Sequence, residues 1–197
     1  MGGPVDLVVM GSSWGGLRAV SAVLSGLPTD LAAAVVVAQH RSATSTGALA
    51  RIFEVRGGLP IREVEDKDPI EPGCVYLAPA DYHLLVEPGA FSLSLEPRVQ
   101  FSRPSIDVLF ESAADSYGRR VMAIVLTGAN EDGADGLRRV RAAGGITVVQ
   151  DPAGAESAVM PAAAVATGAA DKVLPLADIA PFVVQLCGRR SPGTVAH

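Results

Sequence analysis

The sequence contains only two cysteines in 197 residues, Cys74 and Cys187, far apart and outside any CxxC pattern. This scarcity and spacing argue against a disulfide framework and against a cysteine zinc site. Both residues are therefore expected to be buried, reduced thiols. We find no other pattern that requires an ion or a prosthetic group, so we expect neither a metal nor a cofactor.

An excess of basic residues is also missing, since 16 Lys and Arg stand against 21 Asp and Glu, a formal net charge of -5 at pH 7. The basic surface typical of nucleic-acid or anionic-membrane binding is therefore absent, and neither partner is expected. No apolar run approaches the ~20 residues of a membrane span, and residues 1–6 show no basic region leading into a signal sequence. We expect a cytoplasmic protein without membrane insertion.

Aliphatic residues are abundant, and 49% of the chain is hydrophobic. Short runs rich in Val and Ile recur without alternation, which is typical of parallel strands buried on both faces. We predict strands at 5–10, 33–39, 121–126 and 146–150, with helices at 15–27, 46–55, 105–117 and 133–143. This alternation predicts a three-layer, doubly wound α/β fold, Rossmann-like, around a mainly parallel sheet.

Shorter strand candidates lie at 74–78, 82–86 and 91–95. The turn Glu87-Pro88-Gly89 between the last two predicts a small antiparallel hairpin at or near one edge of the sheet. No repeat, low-complexity block or Pro- and Ser-rich linker divides the chain, so one domain is expected over residues 1–188. Residues 189–197 carry Pro and Gly without periodicity and are expected to form a disordered tail.

The segment Gly11-Ser12-Ser13-Trp14-Gly15-Gly16 joins the first predicted strand to the first predicted helix. As a dinucleotide-binding GxGxxG it is incomplete, because Ser13 replaces the middle glycine and the acidic candidate, Asp30, lies in a turn. As a G-x-S-x-G nucleophile elbow it is complete and has the required strand-to-helix context. Ser13 is then the nucleophile and the Trp14 N–H an oxyanion donor. A plain helix-capping serine is the alternative.

A serine nucleophile needs a neighbouring base, and the sequence has three histidines. His40 closes the second predicted strand, whereas His83 lies at the predicted hairpin and His197 ends the chain. Because the carboxyl ends of parallel strands meet at one edge of a sheet, Ser13 and His40 are expected to reach the same crevice. We therefore predict His40 as the base and a structural or peripheral place for His83.

The base needs a carboxylate that orients it and stabilises its charged form. Asp132 lies in the loop after the predicted strand at 121–126, just before a predicted helix. It is our candidate, with Glu131 and Asp135 as rivals and a simple helix cap as the alternative role. The order Ser13, His40, Asp132 differs from that of α/β-hydrolases, and no HGGG-type loop is present, so an ordinary lipase or esterase is disfavoured.

Further stretches complete a pattern that extends over nearly the whole chain, roughly residues 5–186. They are Gln39-His40, Tyr76-Leu77-Ala78-Pro79 with Asp81 and His83, Arg103-Pro104-Ser105-Ile106-Asp107-Val108-Leu109-Phe110, Leu126-Thr127-Gly128 with Asp132-Gly133, and Gln150-Asp151-Pro152 with Met160-Pro161. In this order, and together with the Gly-Ser segment, they resemble the catalytic domain of the chemotaxis protein-glutamate methylesterases, the CheB family.

The resemblance implies a serine hydrolase that removes methyl esters from glutamates on the cytoplasmic helices of chemoreceptors, releases methanol, and also deamidates selected glutamines. Carried over by position, the nucleophile is Ser13, the base His40 and the carboxylate Asp132. Backbone N–H groups at Trp14 and near Ala129 are the implied oxyanion donors. The expected partner is the methylated receptor, and the protein is expected to be a monomer.

This sequence departs from the family pattern at two positions. A small residue is usual where Trp14 stands, and Met-Gly is common in place of Ala129-Asn130. Asn tolerates a positive φ, so a backbone donor can survive the second change. The resemblance also implies a receiver domain before this one in chemotaxis members. The first predicted strand begins at residue 5 of this sequence, so a trimmed chain and a stand-alone member both stay open.

Two other functions stay open at this point. One is a non-catalytic binding module on the same scaffold, which the altered loop at Ala129-Asn130 would permit. The other is a nucleotide-binding Rossmann-like domain, which saturable binding of NAD or a nucleotide would support.

Overall fold

The computed structural model describes residues 5–42, 48–54 and 58–190. Within them the strands are β1 (Leu7–Ser12), β2 (Ala34–Gln39), β3 (Ile61–Glu63), β4 (Val75–Leu77), β5 (His83–Glu87), β6 (Ala90–Ser94), β7 (Val121–Val125), β8 (Ile146–Gln150) and β9 (Lys172–Leu174). The helices are α1 (Gly16–Ser25), α2 (Ala48–Phe53), α3 (Ile106–Tyr117), α4 (Ala134–Ala142), α5 (Val159–Ala166) and α6 (Leu176–Cys187).

Seven of these strands form one parallel sheet in the order β3-β4-β2-β1-β7-β8-β9. The chain winds outward from β1 through β2 first, and returns to the other side of β1 with β7. The direction of winding therefore reverses at β1. In doubly wound sheets, ligands bind beyond the carboxyl ends of the strands at such a reversal. The predicted fold class is confirmed.

Both faces of β1 are buried, which explains the missing alternation in its sequence. Val8 and Met10 pack into the core cluster that contains the buried residues of α1, α2 and α6. Leu7 and Val9 pack on the opposite face, with α3, α4, α5 and the β5–β6 hairpin. Each such fully buried aliphatic side chain stabilises the fold by roughly 1.5–3 kcal/mol.

The predicted hairpin is present as a separate two-stranded sheet, β5–β6, paired from His83↔Ser94 to Glu87↔Ala90. It packs against α3, where the hydroxyl of Ser112 accepts from the Val86 N–H and that of Ser116 donates to the Val86 carbonyl. The hairpin therefore covers part of the sheet face that α3 shares.

The sequence analysis did not predict β3, β9, α5 or α6. The two strands have three residues each, too few to show periodicity. Helix α5 has only eight residues, and α6 contains Pro181 in its interior. Proline in a helix interior removes a backbone donor and weakens the helical pattern. Of the predicted helix at 46–55, residues 46, 47 and 55 lie outside the described residues.

The chain ends and the thiols differ in part from expectation. Cys187 is buried as expected, and burial raises the pKa of its thiol to about 12, whereas Cys74 is only half-buried. Arg189 pairs with Leu31 in an isolated β-bridge and Arg190 N–H donates to the Asp30 carbonyl, so these two residues do not belong to a disordered tail. Residues 191–197 lie outside the described residues.

Across the described ranges, none of the helices is both long and apolar enough to span a bilayer.

Replacing one buried and one exposed phenylalanine tests whether α3 packs into the core as described. Phe110 is 0% exposed in the core, whereas Phe101 is 96% exposed. We expect Phe110→Ala to lower the free energy of unfolding by about 3–5 kcal/mol, because it leaves a cavity in the core. The matched variant Phe101→Ala is expected to change it by less than about 0.5 kcal/mol. Urea denaturation followed by circular dichroism measures both, and equal effects would contradict this assignment of the core.

Candidate active site

Ser13 stands in the turn that follows β1 and precedes α1. Its N–H donates to the Thr127 carbonyl at 3.0 Å, which ties this turn to the loop after β7. Gly15 redirects the chain into α1 with a φ of 77°, a left-handed conformation that L side chains rarely adopt. A Cβ at Gly15 would also lie 2.7 Å from the Cβ of Glu156. The predicted elbow therefore requires glycine at this position.

His40 directly follows β2, the neighbour of β1 in the sheet. Its backbone N–H donates to the Ser12 carbonyl at 2.9 Å, and its side chain is 11% exposed. Ring Nε2 lies 2.7 Å from Asp132 Oδ2. Because a carboxylate only accepts hydrogen bonds, Nε2 carries the proton, and the neutral ring presents its lone pair on Nδ1. Nδ1 is therefore the nitrogen available as a base.

Asp132 is 0% exposed and lies at the amino end of α3. Besides His40, its carboxylate accepts the N–H groups of Ile106 at 2.7 Å and Asp107 at 2.9 Å, and the Ser105 hydroxyl at 2.9 Å. Burial by itself raises the pKa of Asp132, but the hydrogen bonds from His40 and the two N–H groups lower the pKa below its ordinary value. The carboxylate is therefore ionised and can stabilise an imidazolium.

A second buried acid, Asp107, mirrors this arrangement. It belongs to the first turn of α3, and its carboxylate accepts the N–H groups of Gly133 at 2.8 Å and Gly136 at 2.7 Å at the amino end of α4. Asp132 thus caps α3, which carries Asp107, and Asp107 caps α4, which follows Asp132 in the chain. Burial, followed by the nearby charge of Asp132, raises the pKa of Asp107 from 3.8 to about 7.

Gln39 is a positioning residue that the sequence analysis did not identify as functional. It is 4% exposed, and its Nε2 donates to the carbonyls of Ser13 and His40, both at 2.9 Å. Its Oε1 accepts the Ser12 hydroxyl at 2.6 Å. One side chain therefore joins the backbone of the serine turn to the backbone of the histidine turn.

The two turns open onto a cleft of about 610 Å³. It is lined by Ser13, Trp14, Gly15, Gly16, Leu17, Arg18, Gln39, His40, Arg41, Leu49, Ile52, Ala129 and Glu156. None of the hydrogen bonds found in the described part of the chain uses the N–H of Trp14 or Ala129. Both N–H groups are therefore unpaired within the described residues, and Trp14 is 67% exposed at the rim of the cleft.

The structure brings the predicted groups to one place, with Ser13 and His40 on the cleft and Asp132 behind the imidazole. Within the described residues no hydrogen bond joins the Ser13 hydroxyl to the ring. Nδ1 instead lies 3.5 Å from Ser102 Oγ and 3.5 Å from Asn130 Nδ2. Neither side chain was predicted to contact the base, since the turn that carries Ser102 shows no motif.

The rival residues lie elsewhere. Asp135 pairs with Arg138 on the exposed face of α4, and the Glu131 side chain is exposed. His83 is buried, with Nε2 3.1 Å from the Pro97 carbonyl and Nδ1 accepting the Ser105 N–H at 3.2 Å. His83 is therefore a structural residue, as expected.

Comparison with known proteins decides the family. The family model described as CheB methylesterase matches residues 8–183. The chain belongs to the CheB methylesterase family. The resemblance identified in the sequence is confirmed, and the match contains all of the site residues described above.

Relatives of known name agree with this membership. A Leptospira interrogans protein, provisionally named protein-glutamate methylesterase/protein-glutamine glutaminase, is 45% identical over 92% of this chain and 94% of its own. A protein-glutamate methylesterase/protein-glutamine glutaminase of Anaeromyxobacter dehalogenans is 45% identical over 89% of this chain and 51% of its own. The chain therefore spans about half the length of the second relative.

Among solved structures, the CheB methylesterase catalytic domain of Thermotoga maritima matches with a TM-score of 0.88 and 33% identity. The match covers 92% of this chain and 98% of that one.

At Ala129-Asn130, where this chain departs from the family pattern, Asn130 is not among the described non-glycine residues with positive φ. The departure instead places a carboxamide beside the base.

The raised pKa of Asp107 is expected to make the free energy of unfolding depend on pH. The pKa of Asp107 is about 7 in the folded state, against an ordinary value of 3.8. At a pH between these two values the folded protein holds a proton that the unfolded chain has released, and this proton stabilises the fold. This contribution to the free energy of unfolding is therefore lost as pH rises through about 7. We expect Asp107→Asn, which cannot titrate, to show a smaller loss of stability than the wild type between pH about 5 and about 8.

Urea denaturation at several pH values measures this difference. The matched control is Asp115→Asn, which removes an exposed carboxylate of the same helix that pairs with Arg139. An Asp107→Asn profile as steep as that of the wild type and the control would show that Asp107 does not titrate in this range.

Proposed function

We propose that this chain is a serine hydrolase that demethylates glutamate methyl esters of chemoreceptor-type proteins, with deamidation of glutamine as a second activity. The names of its relatives support this activity. The observation that carries it is the 2.7 Å contact between His40 Nε2 and the buried Asp132 carboxylate, with Ser13 on the cleft that His40 lines. A catalytically degenerate module is not favoured, because every group that acyl transfer requires is present.

In the acylation half-reaction, Ser13 Oγ attacks the carbonyl carbon of the glutamyl ester while His40 Nδ1 takes the hydroxyl proton. Asp132 stabilises the resulting imidazolium through Nε2–H. The C–O bond to methoxide then breaks, and the proton on Nδ1 passes to the leaving oxygen, which departs as methanol. Contacts between nucleophile and base are often loose without substrate and tighten when it binds.

The tetrahedral intermediate carries an oxyanion, and the free N–H groups of Trp14 and Ala129 are the proposed donors to it. One such donor typically accelerates the reaction by roughly 10²- to 10³-fold. A glutamine side chain would enter the same cleft, form the same acyl-enzyme and release ammonia in place of methanol. Both reactions end with hydrolysis of the acyl-enzyme to a glutamate carboxylate.

The proposed partner is the cytoplasmic helical part of a methylated receptor, and we propose that the enzyme acts on it in the cytoplasm as a monomer. The cleft, of about 610 Å³, has room for a glutamyl ester side chain and the atoms next to it. Leu17 and Ile52 are exposed on its walls and extend the apolar surface beyond Ser13.

Replacement of the nucleophile tests the activity. With a methylated receptor fragment as substrate, we expect Ser13→Ala to lower methanol release by at least about 10³-fold, because no hydroxyl remains to form the acyl-enzyme. The fold should persist, as measured by circular dichroism.

The matched control is Ser12→Ala, which removes the adjacent buried hydroxyl that donates to Gln39. It should lose about 1 kcal/mol of stability and still react with a serine-directed fluorophosphonate, whereas Ser13→Ala should not react. Normal methanol release by Ser13→Ala would refute the proposed function.

Asp132→Asn tests the orienting carboxylate. An amide at this position can donate to Nε2, which moves the ring proton to Nδ1 and removes the lone pair that the reaction needs. We expect kcat to fall by up to about 10⁴-fold with little change in KM. The control Asp135→Asn alters an exposed acid of α4 and should retain wild-type kcat. A kcat of Asp132→Asn equal to that of this control would rule out the assigned role.

A further inference from the structure

The base nitrogen of His40 faces two polar side chains that the acylation step does not use. Ser102 Oγ and Asn130 Nδ2 each lie 3.5 Å from Nδ1 and 3.4 Å from one another. The three atoms thus form a nearly equilateral triangle, in which His40 offers a lone pair, Ser102 a hydroxyl and Asn130 an amide N–H. Contacts of this length are too long for strong direct hydrogen bonds, which lie near 2.7–3.2 Å.

The three distances suit one shared water molecule better than three direct hydrogen bonds. Because no side exceeds 3.5 Å, a point above the plane lies within about 2.8 Å of all three atoms. There a water can donate to Nδ1, accept from the Asn130 N–H and exchange a hydrogen bond with the Ser102 hydroxyl. Water needs two to four polar partners to be held in place, and this position offers three.

The two side chains are held by the scaffold of the site. Ser102 ends a turn closed by reciprocal backbone bonds with Val99, and Gln100 in that turn donates from its side chain to Asp107 Oδ2 at 3.1 Å. Asn130 Oδ1 is buried and has no partner among the described residues. The contacts of the Asn130 amide are therefore made through Nδ2, which faces His40 Nδ1 and Ser102 Oγ.

We propose that Ser102 and Asn130 bind the hydrolytic water on His40 Nδ1 and are catalytic residues of deacylation. The proposal rests on the acyl-enzyme mechanism described above. At that stage Ser13 Oγ is esterified and no longer competes for Nδ1, so the nitrogen is free for water.

In deacylation, His40 Nδ1 is the general base for water. The water oxygen bonds to the acyl carbon while Nδ1 takes one water proton, which forms the tetrahedral intermediate and an imidazolium stabilised by Asp132. The bond between the acyl carbon and Ser13 Oγ then breaks, and Nδ1 returns the proton to Ser13 Oγ. The products are glutamate and the free serine.

Burst kinetics with p-nitrophenyl acetate separate the two half-reactions. In Ser102→Ala and Asn130→Ala we expect kcat to fall by roughly 10- to 100-fold because deacylation slows, while kcat/KM, which reports acylation, stays within about twofold of wild type. The burst of p-nitrophenolate should match the enzyme concentration, and acetylated Ser13 should accumulate in mass spectra. Hydroxylamine, a nucleophile that needs no general base, should restore turnover of both variants.

Matched variants distinguish this role from a structural one. Ser102→Thr keeps the hydroxyl and should retain kcat, and Phe101→Ala alters the same turn at an exposed side chain and should retain both kinetic constants. If Ser102→Ala fails to fold, Asn130→Ala tests the same water from the other loop.

Each outcome has one meaning. Parallel losses of kcat and kcat/KM without acetylated Ser13, or no loss at all, would overturn the water-binding role and leave the proposed function standing. Turnover of p-nitrophenyl acetate and of the methyl ester that Ser13→Ala leaves unchanged would overturn the proposed function, and this inference with it.

Discussion

The site depends on one electrostatic constraint, the burial of the Asp132 carboxylate at the amino end of α3. An ionised carboxylate is costly to bury unless donors surround it, and here two backbone N–H groups, the Ser105 hydroxyl and the His40 ring do so. Asp107 repeats the arrangement at α4. Because each helix end requires the acid from the other segment, α3 and α4 dock together, and the base is oriented only when both have done so.

The order of the strands completes the site. β2, β1 and β7 are neighbours, so the residues after their carboxyl ends meet although His40 and Asp132 are 92 positions apart in sequence. Gln39 then fixes the distance between two of the three loops, because its carboxamide binds the carbonyls of both Ser13 and His40. The sheet supplies proximity, and the buried polar side chains supply orientation.

The sequence predicted those parts of the site that follow from strand ends and local motifs. Ser13, His40 and Asp132 each follow a buried apolar run, and that pattern is visible without a structure. The remaining contacts depend on long-range geometry. From the sequence alone Asp107 is a first-turn acid of α3, and its contact with α4 requires the fold. Ser102 lies near the His40 ring in a turn whose Gln100 side chain binds Asp107. The short strand β9 and the proline-containing α6 were missed because local propensity there is weak.

The position of Trp14 has a practical consequence. It is the only tryptophan in the chain, and its indole is 67% exposed at the rim of the cleft beside Ser13. Emission from an indole responds to the polarity of its surroundings, so the tryptophan emission of this protein originates next to the Ser13 hydroxyl. The molecule therefore carries its own spectroscopic reporter of cleft occupancy, and ligand titrations can be followed without any attached dye.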